Sequence, residues 1–421
     1  MTQTWARPYI LADDLTGCCD AALPFLSRYE EIFVCRRFSI KFRKDILLVS
    51  STASRALSGT EAANRVRKVV NESILANRRL LMKKIDSTLR GPVAEEAEAV
   101  MTTGGYERII FCSAFPAQKR TVRDGILRVD GVPLSEIILH ERGQAFHLPD
   151  RPAEVLEKKF RTIEVSLETV RQGAESLTRT ALEAPTGSAI CVDAESEEDL
   201  DFIASAVRKK RNWLCVGAAG LAGAMARQLP IRRQSDSAPK LIDQLPIFLV
   251  GSLNPRSRAQ VANIARAQNV RLWAADPGSV LRDSSSRSEY KIELGDTIGK
   301  ALRGDDLRAA VVIVGSHELE NPVQIESAAE IALWMARLGL ERCKLGEAGG
   351  VLCCGGDIGQ AVFDVSEASS LRVEAELIPG IAQCQLVGGQ FDGLPVVTKP
   401  GGFGDENALA QILSIWTGTE N

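Results

Sequence analysis

The chain has 421 residues, 45% of them hydrophobic and 25% charged, with a formal net charge of -3 at pH 7. This is the composition of a soluble globular protein, and the length exceeds what one core supports, so two domains are expected. A charge so near balance excludes nucleic acid and an anionic membrane surface as main partners; an anionic ligand has to be caught by local cations.

No apolar run approaches the roughly 18 residues of a membrane span. Residues 1–8 lack the apolar stretch of a secretory signal, so the expected location is the cytoplasm. Ten cysteines are scattered without C-x-x-C spacing, and the only histidines are His140, His147 and His317. That pattern holds no metal site and reads as buried free thiols.

In chain order, Tyr9 to Ala12 is a short apolar strand that runs into Asp13-Asp14, followed by a small, apolar helix from Cys18 to Leu26. Strands are expected at Ile32 to Cys35, Ile46 to Ser50, Leu80 to Met82 and Arg108 to Phe111, with helices at Thr60 to Ala76 and Pro92 to Met101. Ser113 to Leu134 reads as a long irregular connection carrying Lys119, Arg120 and Arg123. Strand and helix then alternate from Ala189 to Gln228, and the polar stretch after Ile231 is the expected linker. A second unit opens with the strand Ile247 to Gly251 and a helix from Arg256 to Gln268. Strands follow at Val270 to Ala274, Ala310 to Val314, Gly350 to Cys354 and Leu394 to Thr398, with helices at Val323 to Leu338 and Glu406 to Trp416. Asp283 to Ser288, serine-rich and without an apolar residue, reads as a mobile surface loop. The expected fold is α/β: two α/β domains with mostly parallel sheets and an active-site cleft between them. The expected division is residues 1–231, a linker at 232–240, and residues 241–421.

Chemistry-bearing residues gather after the strands, where open α/β sheets place ligands. In the first unit these are Asp13, Asp14, Arg55, Lys83, Lys84, Asp86, Ser87, Arg90 and Arg120. Cations suit a carboxylate-bearing substrate, and guanidinium groups grip it bidentately; carboxylates suit hydroxyl recognition, Mg²⁺ binding or proton abstraction. One of Asp13 and Asp14 is expected to cap the next helix. The plain alternative for Lys83 to Gly91 is a solvated turn capped by Asp86 or Ser87. In the second unit, glycine-bearing turns follow three strands: Gly251-Ser252, Gly355-Gly356-Asp357-Ile358-Gly359 and Gly401-Gly402-Phe403-Gly404. Glycine lets a backbone approach a ligand, and amides at a helix start point donors at phosphate. None of the three is a P-loop or a G-x-G-x-x-G fingerprint.

Leu11 to Gly17, Lys83 to Gly91 and Ala114 to Gly125 resemble the N-terminal domain of the four-carbon acid sugar kinase family. Gly251-Ser252, Gly355-Gly356-Asp357, Pro379-Gly380 and Thr398 to Asp405 resemble its nucleotide-binding domain, and the likeness spans the chain in order. The resemblance implies ATP-dependent phosphorylation of the terminal hydroxyl of a sugar acid such as threonate, erythronate or an oxo-tetronate. By position it gives Asp13, Arg55 and Lys84 to Ser87 to the substrate, and Ser252, Gly355, Gly356, Asp357, Ile358 and Gly401 to ATP. The expected partners are that acid and ATP with Mg²⁺, with a homodimer as the expected assembly. Asp86 and Asp14 are both candidates to take the hydroxyl proton. The chain departs from the family at Asp357-Ile358 (usually Glu-Thr), at Pro400 and Gly402 (usually Ser and Asn), at Ala218 (usually Ser), at Pro92 (usually Asn) and ahead of Ser54-Arg55, where acidic residues are missing. Those changes motivate an alternative, a sugar-acid- or nucleotide-binding protein of the same fold with altered catalysis. A dinucleotide-dependent oxidoreductase is disfavoured by the missing fingerprint.

Overall fold

A computed structural model describes residues 7–36, 38, 46–141, 144–208, 210–232, 239–266, 269–304, 307–315 and 325–419. Residues 233–238 of the expected linker, His317 and the first two residues of the helix expected from Val323 lie outside these. The chain divides into two compact units, residues 1–138 with 147–235 and residues 139–146 with 236–421.

The first unit is built on strands β1 (Pro8–Ala12), β2 (Ile32–Cys35), β3 (Leu47–Ser51), β4 (Arg79–Lys84) and β5 (Arg108–Cys112), with helices α1 (Leu15–Ala22), α2 (Gly59–Leu75) and α3 (Val93–Gly104) between them. α2 starts at a capping box in which Ser58 and Glu61 satisfy each other's backbone N–H. Next come three short strands, β6 (Arg120–Arg123), β7 (Ile126–Val129) and β8 (Val132–Pro133), and a hairpin, β9 (Leu139–Glu141) with β10 (Gln144–Phe146), which belongs to the second unit. The first unit continues with α4 (Pro152–Leu156), β11 (Thr162–Val165), α5 (Leu167–Arg171), α6 (Ala174–Glu183), β12 (Ala189–Val192), α7 (Glu197–Arg208), β13 (Trp213–Gly217) and α8 (Ala219–Arg227). Its main sheet has the order β11-β12-β5-β13-β4-β1-β3-β2, and every pairing in it is parallel. Buried on both faces, these strands are nearly continuous apolar runs. From β1 the chain goes first to one side of the sheet (β2, β3) and then to the other (β4 onward), so the ends of β1, β3 and β4 flank the switch point.

The second unit comprises β14 (Pro246–Val250), α9 (Pro255–Ile264), β15 (Val270–Ala275), α10 (Pro277–Val280), α11 (Ser284–Leu302), β16 (Ala309–Val314), α12 (Ile325–Lys344), β17 (Gly350–Cys354), α13 (Gly356–Val365), β18 (Ser370–Ile378), β19 (Ile381–Val387), β20 (Pro395–Lys399) and α14 (Ala408–Thr417). Its order is β18-β19-β20-β17-β14-β16-β15. The pairings from β20 to β15 are parallel, whereas β18, β19 and β20 are joined antiparallel. Trp416 and Phe248 fill the core on one face with no exposure.

Two expectations are corrected and one element is new. Residues 113–134 are not irregular: β6, β7 and β8 form an antiparallel meander. Its turns are Asp124-Gly125 and Asp130-Gly131, all four residues at positive φ, the geometry that Asp-Gly favours in two-residue hairpins. Asp283 to Ser288 is the start of α11, where the Asp283 carboxylate accepts from the N–H groups of Ser285 and Ser286 and turns a polar run into a helix N-terminus. The β18–β19 hairpin was not foreseen at all. All ten cysteines are free; nine are buried and Cys343 is half-buried. No helix among the described residues is long and apolar enough to cross a membrane.

Candidate functional site

In the first unit, Ala12 of β1 lies level with Ser51 of β3 and Lys84 of β4, so residues 13–14, 52–55 and 85–91 leave the sheet side by side. Asp14 is the helix cap: its Oδ1 accepts from Gly17 N at 2.8 Å and its Oδ2 from Thr16 Oγ1 at 2.6 Å. A Cβ on Gly17 would stand 2.5 Å from Asp14 Oδ1 and 3.2 Å from Lys84 Nζ, so only glycine leaves this corner open. Arg55 grips both acids. Its Nε and Nη2 reach Asp13 at 2.7 and 3.1 Å, and its Nη1 and Nη2 reach Asp14 at 3.0 and 2.7 Å. Asp86 Oδ1 lies 3.7 Å from Arg55 Nη1.

The Asp86 carboxylate is itself fully engaged. It takes a bidentate pair from Arg90 at 2.8 and 2.7 Å, the Thr88 N–H at 3.1 Å and the Thr88 hydroxyl. Burial alone would raise its pKa, but Arg90 and Arg55 together with these hydrogen bonds hold it well below the usual carboxylate range. Burial opposes and Arg55, Lys83 and Lys84 outweigh it at Asp13 too, where the net direction is down. So anchored, Asp86 is a poor proton acceptor and a good orienter of two guanidiniums. It does not cap α3 either, whose N-cap is Pro92.

Lys83 is removed from ligand reach. Its ammonium is fully buried, 2.6 Å from Glu96 Oε2. Glu96 accepts in turn from the Ser54 hydroxyl, which meets Thr52 Oγ1 at 2.5 Å. This chain ties β4, α3 and the loop after β3 together beneath Arg55. Lys84, also buried, donates to the Ile85 carbonyl at 2.9 Å. An ammonium has three donors, and no other acceptor meets this one among the described residues. Ser87 is buried in the same loop. Arg120, at the start of β6, donates to the Gln118 carbonyl.

In the second unit, Val250 of β14 lies level with Cys354 of β17, and Cys354 with Lys399 of β20. The three glycine turns therefore emerge as neighbours. A Cβ on Gly401 would fall 2.2 Å from Ser252 Oγ, and the Gly355 amide donates to the Lys399 carbonyl at 2.9 Å. Gly355 and Gly356 are half-buried, Ile358 is buried and Asp357 is exposed in the first turn of α13. Two further cations lie in this unit's interior. Lys399 has no exposure, and its Nζ meets only Cys354 Sγ at 3.8 Å and the Pro400 carbonyl at 3.2 Å among the described residues. Burial lowers its pKa, with Cys354 opposing. Arg258 donates to the Val314 carbonyl at 2.9 Å, while its Nε and Nη1 are buried without an acceptor; burial lowers it to about 10.

Against known proteins, residues 9–225 match the profile of a sugar-binding N-terminal domain and residues 247–409 that of a nucleotide-binding C-terminal domain. A D-threonate kinase of Salmonella typhimurium is 30% identical over 424 residues, covering 96% of this chain and 97% of that one. The chain belongs to the four-carbon acid sugar kinase family. A D-erythronate kinase of Heliobacterium modesticaldum is 25% identical, over 88% of this chain and 87% of the relative. A 3-oxo-tetronate kinase of Brucella melitensis is 26% identical, over 76% and 74%. Crystal structures of proteins from Salmonella typhimurium LT2 and Haemophilus influenzae, each 18% identical, share the fold with TM-scores of 0.77 and 0.70. The first covers 96% of this chain and 98% of its own length, the second 97% and 100%.

The Asp13 to Arg120 group falls within the sugar-binding match, and Ser252 to Gly401 within the nucleotide-binding one. Sequence reasoning missed Thr52 and Glu96, and the bond from Ser54 to Glu96, beneath the first group, and Arg258 and the buried position of Lys399 near the second. Glu96 carried a signal: with Val93, Ala97 and Val100 it lies on the apolar face of α3, and a carboxylate there requires a buried partner.

Proposed function

We propose that this protein is an ATP-dependent kinase that phosphorylates the terminal hydroxyl of a four-carbon sugar acid, with D-threonate the first acid to test. The observation that carries the reading is the full-length match to a D-threonate kinase at 30% identity. The chemistry of the two units supports it. One gathers carboxylates and guanidiniums able to read a polyhydroxy acid; the other has glycine turns and two buried cations, Lys399 and Arg258, with no carboxylate partner among the described residues.

In this reading the acid's carboxylate takes the unused donors of Lys84, and the Asp13 and Asp14 carboxylates, aligned by Arg55, accept from its hydroxyls. Asp86 fixes Arg55 and Arg90 and does not act as the base. Phosphoryl transfer depends mainly on in-line positioning and charge neutralisation, so a strong base is not required. Ser252, Gly355, Gly356, Asp357, Ile358 and Gly401 hold the nucleotide. The donor set fits Mg²⁺ carried by the triphosphate: among the described residues no three His, Cys, Asp or Glu side chains gather as a metal cage, and Mg²⁺ is commonly held by phosphates with one or two carboxylates. Asp357 is the carboxylate on these turns that would join it, and the ion would neutralise phosphate charge. A cytoplasmic location follows from the same reading.

The test is coupled ADP release over a panel of D- and L-threonate, D- and L-erythronate and 3-oxo-tetronates. Turnover with at least one acid and little ATP hydrolysis without it is the expected outcome. Stabilisation by an acid in a thermal-shift assay with no turnover on any member would favour a binding protein instead.

A further inference from the structure

One face of α9 donates to five backbone carbonyls in the loop after β20. Ser257 Oγ donates to Gly401 O at 2.6 Å and Arg256 Nη1 to Gly402 O at 3.2 Å. Gln260 Nε2 donates to Phe403 O at 3.0 Å and Asp405 O at 2.7 Å, and Asn263 Nδ2 to Glu406 O at 3.1 Å. From the other side, Lys399 Nζ takes the Pro400 carbonyl at 3.2 Å. Ser257 and Gln260 have no exposure, and Gln260 Oε1 is left buried without a donor. Leaving an acceptor unmet carries a free-energy penalty, yet it lets the amide place its nitrogen between two loop carbonyls.

All described peptide bonds are trans, and in a trans peptide the carbonyl and the following N–H point in opposite directions. Turning the carbonyls of Pro400, Gly401 and Phe403 toward Lys399, Ser257 and Gln260 therefore turns the N–H groups of Gly401, Gly402 and Gly404 away from those side chains. No acceptor among the described residues takes these three amides. Successive free amides on a glycine loop form an anion-binding concavity, here with the buried Lys399 beneath it. Pro400 lacks an N–H, but that N–H would belong to the peptide before those that α9 orients.

We infer that Ser257 and Gln260 on this face of α9 are positioning residues for nucleotide binding, aiming the Gly402 and Gly404 amides at phosphate oxygens beside the Gly401 amide that Lys399 turns the same way. The inference rests on the kinase reading and adds to it residues that act through the loop and do not touch the nucleotide themselves.

The experiment is calorimetric titration of full-length protein with Mg·ADP, together with steady-state kinetics, for Ser257→Ala, Gln260→Met and Ser257→Thr. Each lost hydrogen bond is expected to weaken Mg·ADP about fivefold: about fivefold for Ser257→Ala and about 25-fold for Gln260→Met. KM for ATP should rise in step, KM for the sugar acid should stay unchanged, and Ser257→Thr, which keeps the hydroxyl, should restore affinity. Unchanged Mg·ADP affinity in Ser257→Ala and Gln260→Met overturns the inference, as does an equal loss of affinity for the acid, the mark of a general structural role. If Gln260→Met does not fold, the Ser257 pair decides alone. Parent protein that binds no Mg·ADP overturns the kinase reading itself, and this inference with it.

Discussion

Replacing Glu96 by Ala should destabilise the first unit by about 3–5 kcal/mol, the usual result of leaving a buried charge without its partner. The Lys83 ammonium and the Glu96 carboxylate are 2.6 Å apart with side-chain exposures of 0% and 2%. At an effective dielectric of about 20 their attraction is about 6 kcal/mol, set against a desolvation penalty of several kcal/mol per ion. The pair is close to balanced as a pair. Without Glu96, Lys83 keeps one neutral acceptor, the Lys84 carbonyl at 3.0 Å, and Ser54 loses the carboxylate it donates to. Removing both charges, as Lys83→Met with Glu96→Leu, should recover most of the stability. It should not recover affinity for the acid, because the Ser54 hydroxyl no longer fixes the loop that carries Arg55. Urea unfolding followed by circular dichroism and fluorescence measures the first effect, and calorimetric titration with the sugar acid the second. A Glu96→Ala protein within about 1 kcal/mol of the parent would show that Lys83 reaches solvent, as its place in a polar stretch suggested, and would refute this account of the cluster.

Arg55→Lys should lower kcat/KM for the acid at least about 100-fold, because one ammonium cannot replace a fork that holds Asp13 and Asp14 at once; initial-rate kinetics checks this. Gly401→Ala should weaken Mg·ADP and leave acid binding intact, since its Cβ would displace the Ser252 hydroxyl 2.2 Å away; calorimetry with each ligand separates the two. Asp13 and Asp86 both have folded pKa values below the ordinary carboxylate value, about 3.9 in an unfolded chain. Their stabilising contribution is therefore fully present above that value and is lost as pH falls through the folded ones. Thermal denaturation from pH 6 down to 3 should show a steep fall below about pH 4, shallower in Asp86→Asn; an unchanged slope in that variant counts against the assigned role of Asp86.

Most strands and helices were legible because each is a plain periodic signal: unbroken apolar runs for buried parallel strands, Ser58 with Glu61 for the start of α2. Part of what escaped depends on partners far away in sequence. In β19 Ile381 to Cys384 are all buried, the polar Gln383 included, which can be read only once the pairing is known. By contrast, β18 alternates buried and partly exposed residues from Leu371 to Ile378, a signal present in local sequence. Asp124-Gly125 and Asp130-Gly131 are hairpin turns legible in local sequence, although the stretch as a whole reads as an irregular connection. In the site, Asp14 as a cap was readable from three residues of local sequence. Lys83 and Lys84 were not separable that way. Adjacent residues of a strand point to opposite faces, and which face holds Glu96 is decided by α3.

The two units handle negative charge in opposite ways, and this bears on how binding of each ligand responds to salt. In the first, the Asp13, Asp14 and Asp86 carboxylates are matched by Arg55, Arg90 and Lys84, so an incoming acid meets a nearly neutral cluster and gains mainly by hydrogen-bond exchange. In the second, Lys399 and Arg258 have no carboxylate among the described residues, and burial disfavours their charge until an anion arrives. A polyphosphate supplies that missing charge, whereas a single carboxylate supplies little of it. Nucleotide binding should thus weaken more steeply with ionic strength than acid binding does. Titrations of each ligand between low and high salt distinguish the two slopes, and equal slopes would place the unmatched cations outside the nucleotide site.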